Sequence, residues 1–183
     1  SVSTLTTADA TMLADKTVAP DIAAVAPVSS TSGSLQSSST TWTSTVVGTT
    51  PDWLTVRART VSTGRFFTTD ELDSSSNVAV IGSTTATELF SDGSPVGQSV
   101  SINGSSFTVI GILNTQGTSG TSNEDDTVLV PLTSYAARLS TSSNANSISS
   151  IYLSGKDADS LSAAYQQVKT ALLASHGVTS DNA

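Results

Sequence analysis

The chain has no cysteine, a single histidine, and only seven Lys and Arg among 183 residues. Each shortage excludes something. Without cysteine there is no disulfide framework and no thiolate metal site, although the compartment stays open. Seven scattered cations offer no basic stripe to neutralise a row of phosphates, which excludes nucleic acid as a partner. No apolar run approaches the roughly 20 residues needed to cross a bilayer. No charged n-region leading into an apolar h-region opens the chain. The segment itself is therefore expected not to span a membrane. Aromatics are also few, at two Trp, four Phe and three Tyr.

What fills the space is neutral polarity. Thirty-five Ser and 29 Thr accompany fifteen acidic residues, and the net charge is −8. Low hydrophobicity here comes with low charge, unlike the profile of a disordered chain. The length suits one domain or two small subdomains, enough to bury roughly 70% of the unfolded surface. An acidic, hydroxyl-rich surface points to the outside of a cell.

Thr6-Thr7-Ala8-Asp9 has capping-box spacing and predicts a helix over 7–16, closed before Pro20. Ile22–Val28 reads as a buried strand. The Ser/Thr tract 29–41 reads as a hairpin arm or a disordered loop, and strand character over 42–47 favours the hairpin. Residues 48–54 predict a turn feeding one helical turn. Thr68-Thr69-Asp70-Glu71 is a second capping box. Asn77–Ile81 is a strand that stops at Gly82, followed by a capped helix over 83–90. Asn103-Gly104 between 100–102 and 107–113 supplies the two positive-φ positions of a tight hairpin turn. A polar loop over 114–126 leads to a strand at 128–132 and a helix at 133–139. After a second polar tract, a strand at 148–153 precedes a helix at 157–176. Leu161, Ala164, Tyr165, Val168, Ala171 and Leu172 form the apolar stripe of that helix, and Gly177 stands at its C′ position. The order is α+β with a β-rich middle.

No chemistry announces itself. His176 sits in the last helical turn, where its cation complements the helix dipole. Its replacement is expected to change little. No G-x-S-x-G elbow and no P-loop are present. Without a base beside a nucleophile, the many hydroxyls are not catalytic. Glu124-Asp125-Asp126 lacks the alternating spacing of a calcium loop and reads as a solvated acidic loop. Asn103-Gly104-Ser105 matches a glycosylation sequon, but the hairpin explains it. No catalytic, cofactor-binding or metal-binding residue is assigned, and no cofactor is expected. Trp42, Trp53, Phe66 and Phe67 hold most of the aromatic mass. Core packing is their default, with partner or substrate contact the minority reading.

Read in order, Val25-Ala26-Pro27-Val28, Gly48-Thr49-Thr50-Pro51-Asp52-Trp53 and Gly64-Arg65-Phe66-Phe67-Thr68 form a pattern. It continues as Val78-Ala79-Val80-Ile81-Gly82, Glu88-Leu89-Phe90, Pro95-Val96-Gly97-Gln98-Ser99-Val100, Phe107-Thr108-Val109-Ile110-Gly111 and Val130-Pro131-Leu132. It closes on the terminal helix running into Ser175-His176-Gly177. Together these resemble the MacB-like core domain, the extracytoplasmic part of a class of ABC transporter permeases. The resemblance implies a porter-like mixed α/β subdomain built from both ends, 1–47 and 146–183, with an inserted β-rich subdomain at 48–145. It implies a place between the first two membrane helices of a permease, extracellular or periplasmic. It also implies a non-catalytic role in moving a substrate such as a peptide, antibiotic or lipoprotein. The implied partners are a second permease copy and a cytoplasmic ATPase subunit or domain, with an exported substrate or envelope partner. The rival readings are a stand-alone cell-surface binding or adhesion module and a hydrolase.

Overall fold

Capping at Thr6 starts the first helix as its spacing predicts. The Thr6 hydroxyl accepts from the Asp9 amide while the Asp9 carboxylate accepts from the Thr6 amide. The structure is a computed structural model. It describes residues 5–38, 40–91, 93–119, 122–140, 147–157 and 161–176. Helix α1 spans Thr7–Ala14, strand β1 Ile22–Ser37 and strand β2 Thr40–Thr49. Then come α2 (Trp53–Val56), β3 (Val61–Gly64), α3 (Thr69–Asp73), β4 (Val78–Ile81) and α4 (Ser83–Leu89). Strands β5 (Ser99–Ile102) and β6 (Ser105–Leu113) form the Asn-Gly hairpin, with φ of 48° at Asn103 and 89° at Gly104. The small pair β7 (Thr118–Ser119) and β8 (Ser122–Asn123) precedes β9 (Thr127–Pro131), α5 (Leu132–Arg138), β10 (Ser150–Gly155) and α6 (Leu161–Ser175). The fold is α+β.

The main sheet runs β10-β1-β2-β9-β4-β6-β3, and β5 pairs with both β1 and β6. Six strands (β1, β2, β9, β4, β6 and β5) therefore close on one another. Inside that ring lie Leu35, Val46, Ile81, Ile102, Phe107, Val109 and Val128, stoppered by Leu89 and Phe90 at the end of α4 and by Tyr135 of α5. Strands β4 and β9 are buried on both faces, since Val80 and Leu129 pack outward under Trp53 and Phe67. Their uninterrupted apolar sequences follow from that double burial.

Strand β1 changes character half-way. Residues 22–28 pair with β10 and are largely buried, whereas 29–37 pair with β2 and alternate in and out. In this outer half Ser32 faces Thr45, Ser34 faces Thr43 and Gln36 faces Thr41, all exposed. The hydroxyl-rich tract is thus an ordered hairpin arm: the outward positions carry Ser and Thr while Gly33, Leu35 and Val46 turn inward. Threonine suits such a pleated, wet face because it is β-branched and polar together.

Helices α1 and α6 pack together on β1 and β10, as their apolar faces require. Ala10, Leu13, Ile22, Val25, Ala164 and Ala171 are buried there, with Val168 and Leu172 half-covered. Tyr165 is a correction to the expected stripe: it is 66% exposed. Ala164 and Ala171 take the buried face of α6, and Tyr165 at the adjacent position is turned to solvent. Gly177 lies outside the described residues. Two further expectations change. Helix α4 has Gly82 at its N-cap and no side-chain cap. The short strand β3, unmarked in sequence, exists because β6 offers it an edge. At its end Gly64 has φ +74°, and a Cβ there would meet the Ile110 carbonyl oxygen.

Candidate functional site

The aromatics come first, because the sequence singles them out. Trp53 and Phe66 stack with ring centroids 6.2 Å apart, and Phe66 meets Phe67 at 4.4 Å. Trp53 and Phe67 are buried in the cluster beneath α2, so the protein itself covers them. Phe66 and Trp42 are half-buried and keep some surface. Trp42 packs against the ring interior and donates its indole N–H to Asp126 at 3.0 Å. The four do not form one patch: Trp53 of α2 clusters with Phe66 and Phe67, and Trp42 lies on the hairpin arm.

The acidic cluster is not a solvated loop. Each carboxylate has its own protein donors. Asp126 accepts from Trp42 Nε1, from Ser44 Oγ at 2.8 Å and from Thr85 Oγ1 at 3.1 Å. Asp125, 4% exposed, accepts from the Gln116 and Gly117 amides at 2.7 and 2.9 Å. It also lies 3.7 Å from Arg59 Nη2. Glu124 pairs with Arg57 at 3.4 Å. The loop 122–126 is therefore pinned to β2, α4 and the segment after α2. Three carboxylates facing different partners cannot converge on one cation. Among the described residues no cluster of His, Cys, Asp or Glu is placed to hold a metal.

The two arginines are what the sequence reading missed. Arg57-Ala58-Arg59 holds two of only seven cations, and that scarcity is the available signal that they answer the acidic run. Arg59 is buried, and desolvation lowers its guanidinium from the ordinary value, opposed by Asp125 and Glu124 and aided by Arg57. Its Nε and Nη2 are buried without hydrogen-bond partners. Its guanidinium carbon lies 5.7 Å from the Trp53 ring. Arg57 reaches the other way, 4.7 Å above the Tyr152 ring on β10. Between them runs a groove of about 290 Å³, floored by Val28, Ser30, Thr45 and Val47 and walled by α2, the 122–126 loop and Tyr152. On the opposite face a second cleft of about 370 Å³ separates α1 from α3 and α5.

His176 does not serve this groove. Its Nε2 lies 2.9 Å from the carboxylate of Asp9, which is 2% exposed. At the C-terminal end of α6, where the sequence places it, the histidine also ties the last helix to the first.

The chain matches the family described as MacB-like periplasmic core domain over residues 1–171. It belongs to that family. Among relatives, the macrolide export ATP-binding/permease protein MacB of Hyphomonas neptunium is 35% identical over 178 residues, covering 96% of this chain and 27% of that protein. The protein of the same name from Bdellovibrio bacteriovorus is 40% identical over 115 residues, covering 63% of this chain and 18% of its own. The chain thus spans about a quarter or less of these curated relatives. The periplasmic region of MacB from Actinobacillus actinomycetemcomitans superposes with a TM-score of 0.82 at 23% identity, covering 97% of this chain and 77% of that one. The extracellular domain of the transporter YknZ from Gram-positive bacteria gives 0.80 at 22%, covering 96% and 86%. These structural likenesses establish the fold of the MacB-like core domain here. The domain is extracytoplasmic, and among the described residues no helix is long and apolar enough to cross a membrane.

Proposed function

We propose that this MacB-like core domain transmits motion in an ABC transporter permease and performs no chemistry of its own. ATP is hydrolysed on a cytoplasmic subunit or domain, and a second permease copy completes the transporter. The relatives' names carry both an ATP-binding and a permease function over a length several times that of this chain. The exported substrate is a peptide, antibiotic or lipoprotein. Family membership weighs against a stand-alone adhesion module.

The observation that carries the reading is the unbroken strand β1. It starts in the layer with α1, β10 and α6 and ends in the closed ring of strands. A sixteen-residue strand is stiff along its length, so displacement of the terminal layer is delivered to the ring. In this proposal the terminal segments 1–47 and 146–183 are the driving part and 48–145 the driven insert, with the β1–β2 hairpin shared between them. Removing residues 48–145 from the full permease is expected to leave ATP hydrolysis largely in place and to abolish export. Paired assays of ATPase and export test this, and retained export after the deletion overturns it.

A further inference from the structure

One side chain lining the groove beside α2 touches both of its sides. Arg57 lies on Tyr152 of β10 on one side and pairs with Glu124 of the 122–126 loop on the other. These partners are far apart in sequence and belong to different layers. Tyr152 stands opposite Ala26 on the inner half of β1, while Glu124 leads into β9 of the ring. No other ion pair or ring contact found among the described residues joins these two groups.

Arg57 and its neighbour Arg59 differ in kind. Arg59 and Asp125 are both nearly fully buried, at 3% and 6% side-chain exposure, so that pair fixes the loop from inside. Arg57 and Glu124 are 33% and 25% exposed, and Tyr152 is 37% exposed. Water can solvate all three when they part, so the outer contact is breakable where the inner one is not.

We propose that Arg57 is a releasable clasp, holding β10 and the terminal layer against the acidic loop when closed and opening the groove over Val28, Val47 and Trp53 when it lets go. Its arms respond differently. Salt screens the Glu124 pair, whereas stacking on Tyr152 depends on the planar guanidinium and resists screening better. Arg57 positions two layers and touches no reacting group. The proposal rests on the motion-transmitting reading, yet its test needs no transport.

Amide hydrogen exchange of the 183-residue chain reads the clasp directly. Arg57→Ala and Tyr152→Leu are each expected to speed exchange in 150–155 by about 2- to 5-fold, the size of a partly exposed cation–π contact. The double variant is expected to be no faster than either single one, because both remove the same contact. Arg57→Lys should speed 150–155 but leave 122–126 protected at low salt. Amides of β4 and β9 should not change. If Arg57→Ala also loosens β4 and β9, then Tyr152→Leu and Glu124→Gln decide, since each removes one arm from a partly exposed position. Unchanged exchange in 150–155 for Tyr152→Leu, or additive effects in the double variant, overturns the clasp. Loss of the clasp with normal deletion results leaves the proposed function standing, and the reverse outcome leaves the clasp.

Discussion

At the scale of single residues, this chain uses its few charges as fasteners. The Thr68–Glu71 capping box doubles as an ion pair, because Arg65 Nη2 donates to Glu71 Oε2 at 3.1 Å while the carboxylate also accepts from the Thr68 amide. The Arg65 hydrogen bond, chiefly, holds the Glu71 carboxyl below the ordinary carboxylate value. A group whose folded pKa is depressed contributes stability above its unfolded pKa, and the contribution is lost as pH falls through the folded value. Glu71→Gln keeps the cap geometry but loses the charge, so it should cost about 1 kcal/mol near neutrality. The gap between the two proteins should narrow in acid, as pH falls below the ordinary carboxylate range and Glu71 takes up its proton. Thermal melts across pH check this, and a gap that persists in acid would count against it.

At the scale of elements, the rotation of a helix on its neighbours decides which residues are core. The α1–α6 layer seats Leu13 at 1% exposure but leaves Tyr165 outside at 66%. Leu13→Ala should therefore cost about 2–5 kcal/mol as a buried large-to-small change. Tyr165→Ala should stay within about 0.5 kcal/mol, as expected of a surface position. Urea unfolding separates the two, and equal losses would show that the tyrosine is covered. The stripe was legible as a 3.6-residue period, but a period marks a broad face. Which of Ala164 and Tyr165 meets the sheet depends on the helix rotation that its neighbours impose. Gly64 shows the same dependence: its need for positive φ comes from β6 crossing beside it.

At the scale of the whole molecule, a buried carboxylate and a half-buried imidazole tie the first helix to the last, beside the apolar packing of α1 on α6. His176 on α6 meets Asp9 on α1 across 167 residues. Asp9 also closes its own capping box, so the same carboxylate starts the first helix and receives the last. His176→Ala should destabilise the chain by about 1–3 kcal/mol, since it withdraws a partner from a buried carboxylate. His176→Gln should recover part of the loss by donating to the same oxygen. Denaturant midpoints of the two variants test this, and an alanine variant as stable as the parent would show that the contact contributes nothing.

The sequence alone determined the local elements. Both capping boxes, the Asn-Gly hairpin and the strand sense of 22–28 and 77–81 follow from residues within a few positions of one another, and the structure has them. The ordered run of short segments was enough to place the chain in its family. Only the tertiary structure decided the fate of the long-range polar groups. Glu124-Asp125-Asp126 reads as a wet loop until Arg57 and Arg59, Trp42, and Thr85 arrive from three other places. The groove and its clasp were invisible for the same reason. A carboxylate finds its cation through the topology of β1, β2 and β9, and spacing along the chain carries no record of a partner 67 residues away.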